Sequence, residues 1–246
     1  MRDIRLFADV PLQTGLELPL PAGAAQHALR VLRLKPGDPL TLFNGDGHQY
    51  PARLLTADPR VARVRIETVE SPTRESPLRL TLLQSLARGE KMDWIVQKAS
   101  ELGVARIVPV STERSEVKLD AARGEKRLEH WRAIAIAACE QCGRNTLPEV
   151  EAPVTLAAWL DAHAPSPSTT RWMLHPEGAI RPRELGIDAS AATELAVGPE
   201  GGFGETDLAT LRAHDCRALT LGPRILRTET AGIAALAALQ ALYGDF

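Results

Sequence analysis

Leu195-Ala196-Val197-Gly198-Pro199-Glu200-Gly201-Gly202-Phe203 and Leu219-Thr220-Leu221-Gly222-Pro223-Arg224-Ile225-Leu226-Arg227-Thr228-Glu229-Thr230-Ala231 are the stretches that decide how this chain folds. In each, a short apolar run stops abruptly at Gly-Pro. A buried parallel strand delivers its backbone into a loop at its carboxyl edge in this way. Each loop then feeds a helical segment. Open α/β sheets bind ligands outside the carboxyl ends of their strands. Two such loops close in sequence therefore predict one composite ligand site in an α/β domain.

Upstream, the same strand–helix rhythm runs back to residue 78 and marks a parallel sheet. Leu78–Leu83, Ala105–Val110, Trp172–Leu174, Leu195–Val197 and Ala218–Leu221 read as strands. Lys91–Leu102 reads as a helix closed by Gly103, and Gly124–Cys142 as a long helix with an apolar 3–4 spacing. Thr155–Ala162 reads as a short helix with Thr155 as its N-cap, and Glu205–His214 as another. The last helix, Glu229–Tyr243, is apolar nearly all round, so it is buried or lies in an interface. Ser71–Pro77, polar and holding two prolines, is the expected linker between a domain at 1–70 and a domain at 78–246. Within 1–70, Arg5–Phe7, Leu16–Leu18, Leu40–Phe43, Gln49–Leu55 and Val61–Ile66 read as short strands, and Pro21–Leu34 as a helix. Asn44-Gly45-Asp46-Gly47 is a strong hairpin signal. These short strands and tight turns predict a small β-barrel-like domain.

With 246 residues the chain can bury a real core. Its 29 basic and 31 acidic residues leave a formal net charge of −2, which excludes a globally basic nucleic-acid binder but permits a local basic face. Arginine far outnumbers lysine and is the better fork for phosphate, although genomic composition bias would enrich it too. Cys139, Cys142 and Cys216 are too few for a disulfide framework. With no basic-then-apolar leader and no apolar run of spanning length, the expectation is a soluble cytoplasmic protein with no membrane partner.

Several motifs carry chemistry. Gly198–Gly202 lacks the Lys-Ser/Thr of a triphosphate loop and the order of a dinucleotide fingerprint, but its glycines permit close backbone approach. In Leu221–Ala231, Thr228 suits an N-cap and Glu229 the positive helix end. That leaves Arg224 and Arg227 unexplained, and arginines beside a helix N-terminus suit a polyanion rather than a metal. Arg88 and Lys91, in Arg88-Gly89-Glu90-Lys91-Met92-Asp93, open a helix after the first sheet strand and either hold phosphate or are an exposed start. Cys139 and Cys142 pack as small apolar residues, next to the polar Glu140, Gln141 and Arg144. His27, Arg30 and Arg33 recur at three-residue spacing on one helix face, which is solvated unless the domain binds RNA.

Taken together, these motifs resemble the RsmE family of 16S ribosomal RNA uridine-N3 methyltransferases, in the SPOUT class of knotted enzymes. The resemblance rests on His27–Arg33, Arg88–Met92, Gln97–Gly103, Ala137–Arg144, Gly198–Gly202 and Leu221–Ala231, in order along nearly the whole chain. It implies a PUA-like N-terminal domain, a C-terminal α/β domain with a deep trefoil knot, and a homodimer. It implies S-adenosylmethionine as methyl donor, with no metal, held by Leu174, His175 and Pro176, by Gly198, Pro199, Glu200, Gly201 and Gly202, and by Leu221, Gly222, Arg224, Ile225, Leu226 and Thr230. The implied RNA contacts are His27, Arg30, Arg33, Arg88, Lys91 and Arg144, on 16S rRNA or the small ribosomal subunit.

Uracil N3 carries a proton that must leave, so such a site stabilises a developing imidate and aligns N3 with the methyl carbon. Arg227 is the candidate for charge stabilisation. The general base stays open among Glu200, Glu229 and His175. Two alternatives remain at this point: a SPOUT methyltransferase acting on tRNA or another rRNA base, and a non-catalytic RNA-binding ribosome-assembly factor.

Overall fold

Alternation of apolar and polar residues sorts the first strands onto a sheet with one buried face. In the computed structural model, which describes residues 4–58, 60–117, 120–177, 180–188 and 191–246, β1 (Arg5–Phe7), β2 (Glu17–Pro19), β3 (Pro39–Phe43), β4 (Tyr50–Thr56) and β5 (Arg63–Ile66) form a mixed five-stranded sheet in the order β1-β3-β4-β5-β2. Only the β1–β3 pair is parallel. In β4 and β5, Ala52, Leu54, Val64 and Ile66 point into the core while Arg53 and Arg65 point out to Glu67 and Glu17. The Asn44–Gly47 turn joins β3 and β4 as an antiparallel hairpin, as its residues predict.

The expected Pro21–Leu34 helix is shorter and less regular than its pattern. Helix α1 covers Ala22–Gln26, and a π-helical turn follows over His27–Val31, where the Leu32 N–H reaches back to the His27 carbonyl at 3.0 Å. Arg33 then takes a left-handed φ of 57° and ends the element. Three-residue spacing therefore does not place His27, Arg30 and Arg33 on one straight helical face, although all three are exposed.

This compact unit comprises the described residues up to Glu75 together with Ile136–Leu147. Buried polar groups organise it. Arg5 donates to Gln49 Oε1 at 2.8 Å and to Asn145 Oδ1 at 2.5 Å, and its guanidinium lies 5.0 Å over the Phe43 ring. Glu140 accepts from the Phe7 N–H at 2.9 Å. The Cys139 thiol is pushed up by its hydrogen bond with Cys142 and by burial, and burial pushes Cys216 to about 12, so both behave as inert packing groups.

Ser76–Ala135 and Pro148–Phe246 form the other unit. Its sheet is wholly parallel, in the order β12-β10-β11-β6-β7-β8, from β6 (Arg79–Ser85), β7 (Arg106–Ser111), β8 (Glu149–Val150), β10 (Thr169–Leu174), β11 (Ala192–Val197) and β12 (Arg217–Leu219), with β9 (Val154–Thr155) also on β7. The two-residue strands β8 and β9 carry no alternation to predict them; pairing with β7 makes them extended.

Both faces of this sheet are covered, as a parallel sheet requires. On one, Leu80, Leu82, Trp172 and Leu195 pack against α2 (Lys91–Glu101), α3 (Ala121–Cys142) and α6 (Thr228–Tyr243). On the other, Leu83, Val108, Met173 and Ala196 pack against α4 (Leu156–Ala162) and α5 (Glu205–Ala213). Thr155 caps α4 as expected, accepting from the Ala158 N–H at 3.2 Å. Among the described residues, no helix is long and apolar enough to cross a membrane.

One polar residue interrupts the apolar run of α6. Gln240 is 1% exposed; its amide donates to the Leu102 carbonyl at 2.7 Å and accepts from the Ser76 hydroxyl at 2.6 Å. It thereby pins the end of α6 to the end of α2 and to the start of this unit. Gln240→Leu keeps the shape but orphans both partners, and a urea titration should show stability falling by about 1–3 kcal/mol with the m-value unchanged.

Candidate active site

Because every strand of the larger sheet runs the same way, every carboxyl end opens on one edge. There the loops after β10, β11 and β12 enclose a cavity of about 540 Å³, a volume suited to a nucleoside-sized ligand. Leu174, His175 and Pro176 supply one wall. Gly198, Pro199, Glu200, Gly202 and Phe203 supply the second. Thr220, Leu221, Gly222 and the stretch from Arg224 to Thr228 supply the third.

Two glycines are needed for the second wall to fold as it does. A Cβ on Gly198 would stand 3.2 Å from the Phe203 nitrogen, a contact tight enough that the loop would have to give by a few tenths of an ångström to admit one. Gly202 has φ +70° and donates to the Pro199 carbonyl at 2.9 Å, completing the turn.

The third wall corrects one expectation. Thr228 is not the N-cap of α6 but its first residue; Arg227, with extended φ −64° and ψ 152°, is the cap and makes no side-chain cap bond. The Thr228 hydroxyl is used elsewhere. It donates to the Gly198 carbonyl at 2.7 Å and accepts from the Gln84 amide at 3.0 Å, with Thr228 and Gln84 both buried. One hydroxyl thus ties the second and third walls to the end of β6.

Of the residues the sequence assigns to cofactor or catalysis, Leu174, His175, Gly198, Pro199, Glu200, Gly202, Leu221, Gly222, Arg224, Ile225, Leu226 and Arg227 line the cavity. Gly201, Glu229 and Thr230 sit beside it rather than in its lining. The Gly201 carbonyl accepts from Arg114 at 3.1 Å, and Thr230 is an exposed residue in the first turn of α6. Glu229 Oε2 is buried and lies 3.6 Å from the Lys91 ammonium.

Lys91 belongs to this site in a way its expected phosphate role does not describe. It lines the cavity, and its ammonium donates to Glu200 at 2.8 Å, so two carboxylates already share its charge. Hydrogen bonding to Glu200 raises the Lys91 pKa. Burial alone would raise the Glu200 carboxyl, but Lys91 and the backbone N–H groups of Glu200 and Arg88 outweigh it and hold it below the usual range. The pair therefore stabilises the fold above the unfolded carboxylate pKa and loses that contribution as acid titrates Glu200; at the alkaline end it is lost as Lys91 deprotonates.

The remaining RNA candidates are dispersed. Arg88 is exposed and ion-paired to Glu116. His27, Arg30 and Arg33 are exposed on the smaller unit. Arg144 is 5% exposed and bound through Nε and Nη2 to Glu75, with Nη2 at 2.6 Å, so it holds that unit together from inside. The sequence reading missed Arg114, Phe203 and Thr220 as lining residues; they follow strands but lie outside the motif cores. Among the described residues, no group of three or more His, Cys, Asp or Glu side chains is arranged to hold a metal ion.

Two family models match the chain. Residues 74–240 match the family model of an RNA methyltransferase domain, and residues 20–67 that of an RNA methyltransferase PUA domain. Ribosomal RNA small subunit methyltransferase E of Buchnera aphidicola subsp. Schizaphis graminum is 32% identical over 241 residues, which cover 98% of this chain and 97% of that protein. A Legionella pneumophila protein solved in complex with the bound cofactor S-adenosylmethionine is 40% identical with a TM-score of 0.95, and 100% of each chain is covered. Ribosomal RNA small subunit methyltransferase E from Neisseria gonorrhoeae, solved bound to S-adenosylmethionine, is 39% identical with a TM-score of 0.91, again with 100% of each chain covered.

Lys91→Met removes the main group that lowers the Glu200 carboxyl and leaves burial opposed only by the Glu200 and Arg88 backbone N–H groups. A carboxyl-carbon NMR titration should show the Glu200 midpoint move upward; an unmoved midpoint would mean that Lys91 does not set it.

Proposed function

The chain belongs to the RNA methyltransferase family that includes the ribosomal RNA small subunit methyltransferases E, and from that premise we propose that it methylates N3 of a uridine in 16S rRNA of the small subunit. The observation that carries the reading is the three-walled cavity at the carboxyl edge, in a chain that aligns end to end with proteins solved with S-adenosylmethionine. Its apolar wall of Leu174, Val197, Phe203, Leu219 and Leu221 suits a base and its ribose, and the Gly198–Gly202 backbone offers polar groups without bulk. S-adenosylmethionine would supply a methyl group already activated on sulfur, which leaves as a neutral thioether.

This chain's residues would do the rest. The target base leaves its stack to reach the cavity. Arg227, exposed, lining the cavity and with no acidic partner among the described residues, would meet the charge that grows on the uracil as N3 loses its proton. A guanidinium there stabilises the imidate more than the neutral base, which lowers the barrier. Glu200, held ionised by Lys91, is a weak proton acceptor, which leaves Glu229 and His175 as the other candidates to receive the N3 proton. Arg224 contacts phosphate or base. The resemblance also implies a trefoil-knotted path and a homodimer, and both belong to this proposal; the half-exposed Leu242 and the exposed Trp94 and Phe246 suit a partner surface.

Mass mapping of small-subunit RNA from a strain lacking this protein tests the reading. One uridine-N3 methylation should disappear, and survival of every such modification would sink the target assignment. In the purified protein, Arg227→Ala should lower kcat at least about a hundredfold while the S-adenosylmethionine Kd changes less than about threefold. Equal losses would make Arg227 a cofactor-loop residue instead.

A further inference from the structure

After β7 the chain makes a four-residue turn, Thr112–Ser115, built more firmly than a connection needs. The Thr112 N–H donates to the Ser115 hydroxyl at 3.1 Å and the Ser115 N–H returns to the Thr112 carbonyl at 3.0 Å, with both residues buried. The Glu113 N–H donates to both carboxylate oxygens of Asp207, at 3.2 and 3.1 Å, and that carboxylate also accepts from the Gly204 N–H at 3.0 Å. Glu113 in turn accepts from the Thr206 N–H at 3.1 Å. The turn and the first turn of α5 therefore hold each other through two carboxylates.

What this scaffold projects is Arg114. Its stem lies along Gly201, where a Cβ would stand 3.5 Å from the Arg114 Cβ and 3.6 Å from its Cδ. Its Nη1 donates to the Gly201 carbonyl at 3.1 Å, and the side chain lines the cavity. Among the described residues no carboxylate lies within ion-pair distance of it, whereas Arg88 has Glu116 and Lys91 has Glu200 and Glu229. One terminal nitrogen of a planar fork with five N–H donors is thus bonded to backbone, and the rest of this exposed, cavity-lining side chain has no carboxylate partner among the described residues. Such a fork is pre-organised for a bidentate oxyanion.

We propose that Arg114 binds an oxyanion of the bound reactants, either a phosphodiester of the target RNA strand or the carboxylate of the methyl donor. The inference rests on the methyltransferase reading and adds to it a contact that the motif resemblance does not include.

The test compares wild type, Arg114→Gln and Arg114→Lys in two binding measurements. One is calorimetry with S-adenosylmethionine; the other is filter binding to small ribosomal subunits from a strain lacking the protein, across a salt series. If the partner is a phosphodiester, Arg114→Gln weakens subunit binding about tenfold and reduces the salt slope by about one, with cofactor affinity within about twofold. Arg114→Lys then keeps the slope but only part of the affinity. If the partner is the donor's carboxylate, the loss falls on the calorimetric Kd and the salt slope is unmoved. Unchanged affinity for both ligands, in an Arg114→Gln protein that melts with wild type, overturns the assignment. A wild-type protein that binds neither ligand overturns the methyltransferase reading, and this proposal with it.

Discussion

A single hydroxyl holds the larger unit's working edge in register. Thr228 donates to the Gly198 carbonyl and accepts from the Gln84 amide, so one side chain joins the loop after β11, the start of α6 and the end of β6. Loops at the end of a parallel sheet have no ladder to constrain them, and their backbone groups need partners of their own. The shape of the cavity depends on this link, because two of its three walls meet at Thr228. Nearby bonds serve the same end: Lys91 fastens Glu200 and Arg114 fastens Gly201, each to an element that follows a different strand.

The longer strands of the parallel sheet and the two Gly-Pro loops are legible in the sequence because buried parallel strands leave apolar runs that end at helix breakers, whereas the two-residue β8 and β9 leave none. Thr228 misleads because a threonine ahead of an apolar helix looks like a cap, and only the fold reveals a neighbouring carbonyl that competes for its hydroxyl. Pro21–Leu34 reads as one helix because periodicity does not register a π-helical turn or a left-handed Arg33. Lys91 stands out in the sequence by its charge, but its two carboxylate partners lie more than a hundred residues along the chain. Long-range pairing of that kind is invisible to spacing. Arg114 had no motif at all, since its significance comes from the turn beneath it.

Around the cavity, charge is distributed by task. Lys91, Glu200 and Glu229 compensate one another where walls have to be held, and pairing limits the cost of desolvating them. Arg114, Arg224 and Arg227 have no acidic partner among the described residues and stand at the opening, where Arg224 and Arg227 are exposed to solvent. A chain of net charge −2 can in this way present a locally cationic mouth, which concentrates a polyanion there without making the whole surface sticky.

That distribution also bears on where a proton could go. A carboxylate that must anchor a loop cannot also be a strong base, because the cation that makes it a good anchor lowers its proton affinity. Glu200 meets the first requirement, through Lys91 and through the Arg88 N–H at 3.4 Å. Glu229 differs: one of its oxygens is buried without a hydrogen bond, and Lys91 stands 3.6 Å away rather than in direct contact. Two acidic residues at one lysine are therefore not equivalent. The nearer holds the wall in place through a direct hydrogen bond, and the farther meets the same lysine only at ion-pair distance.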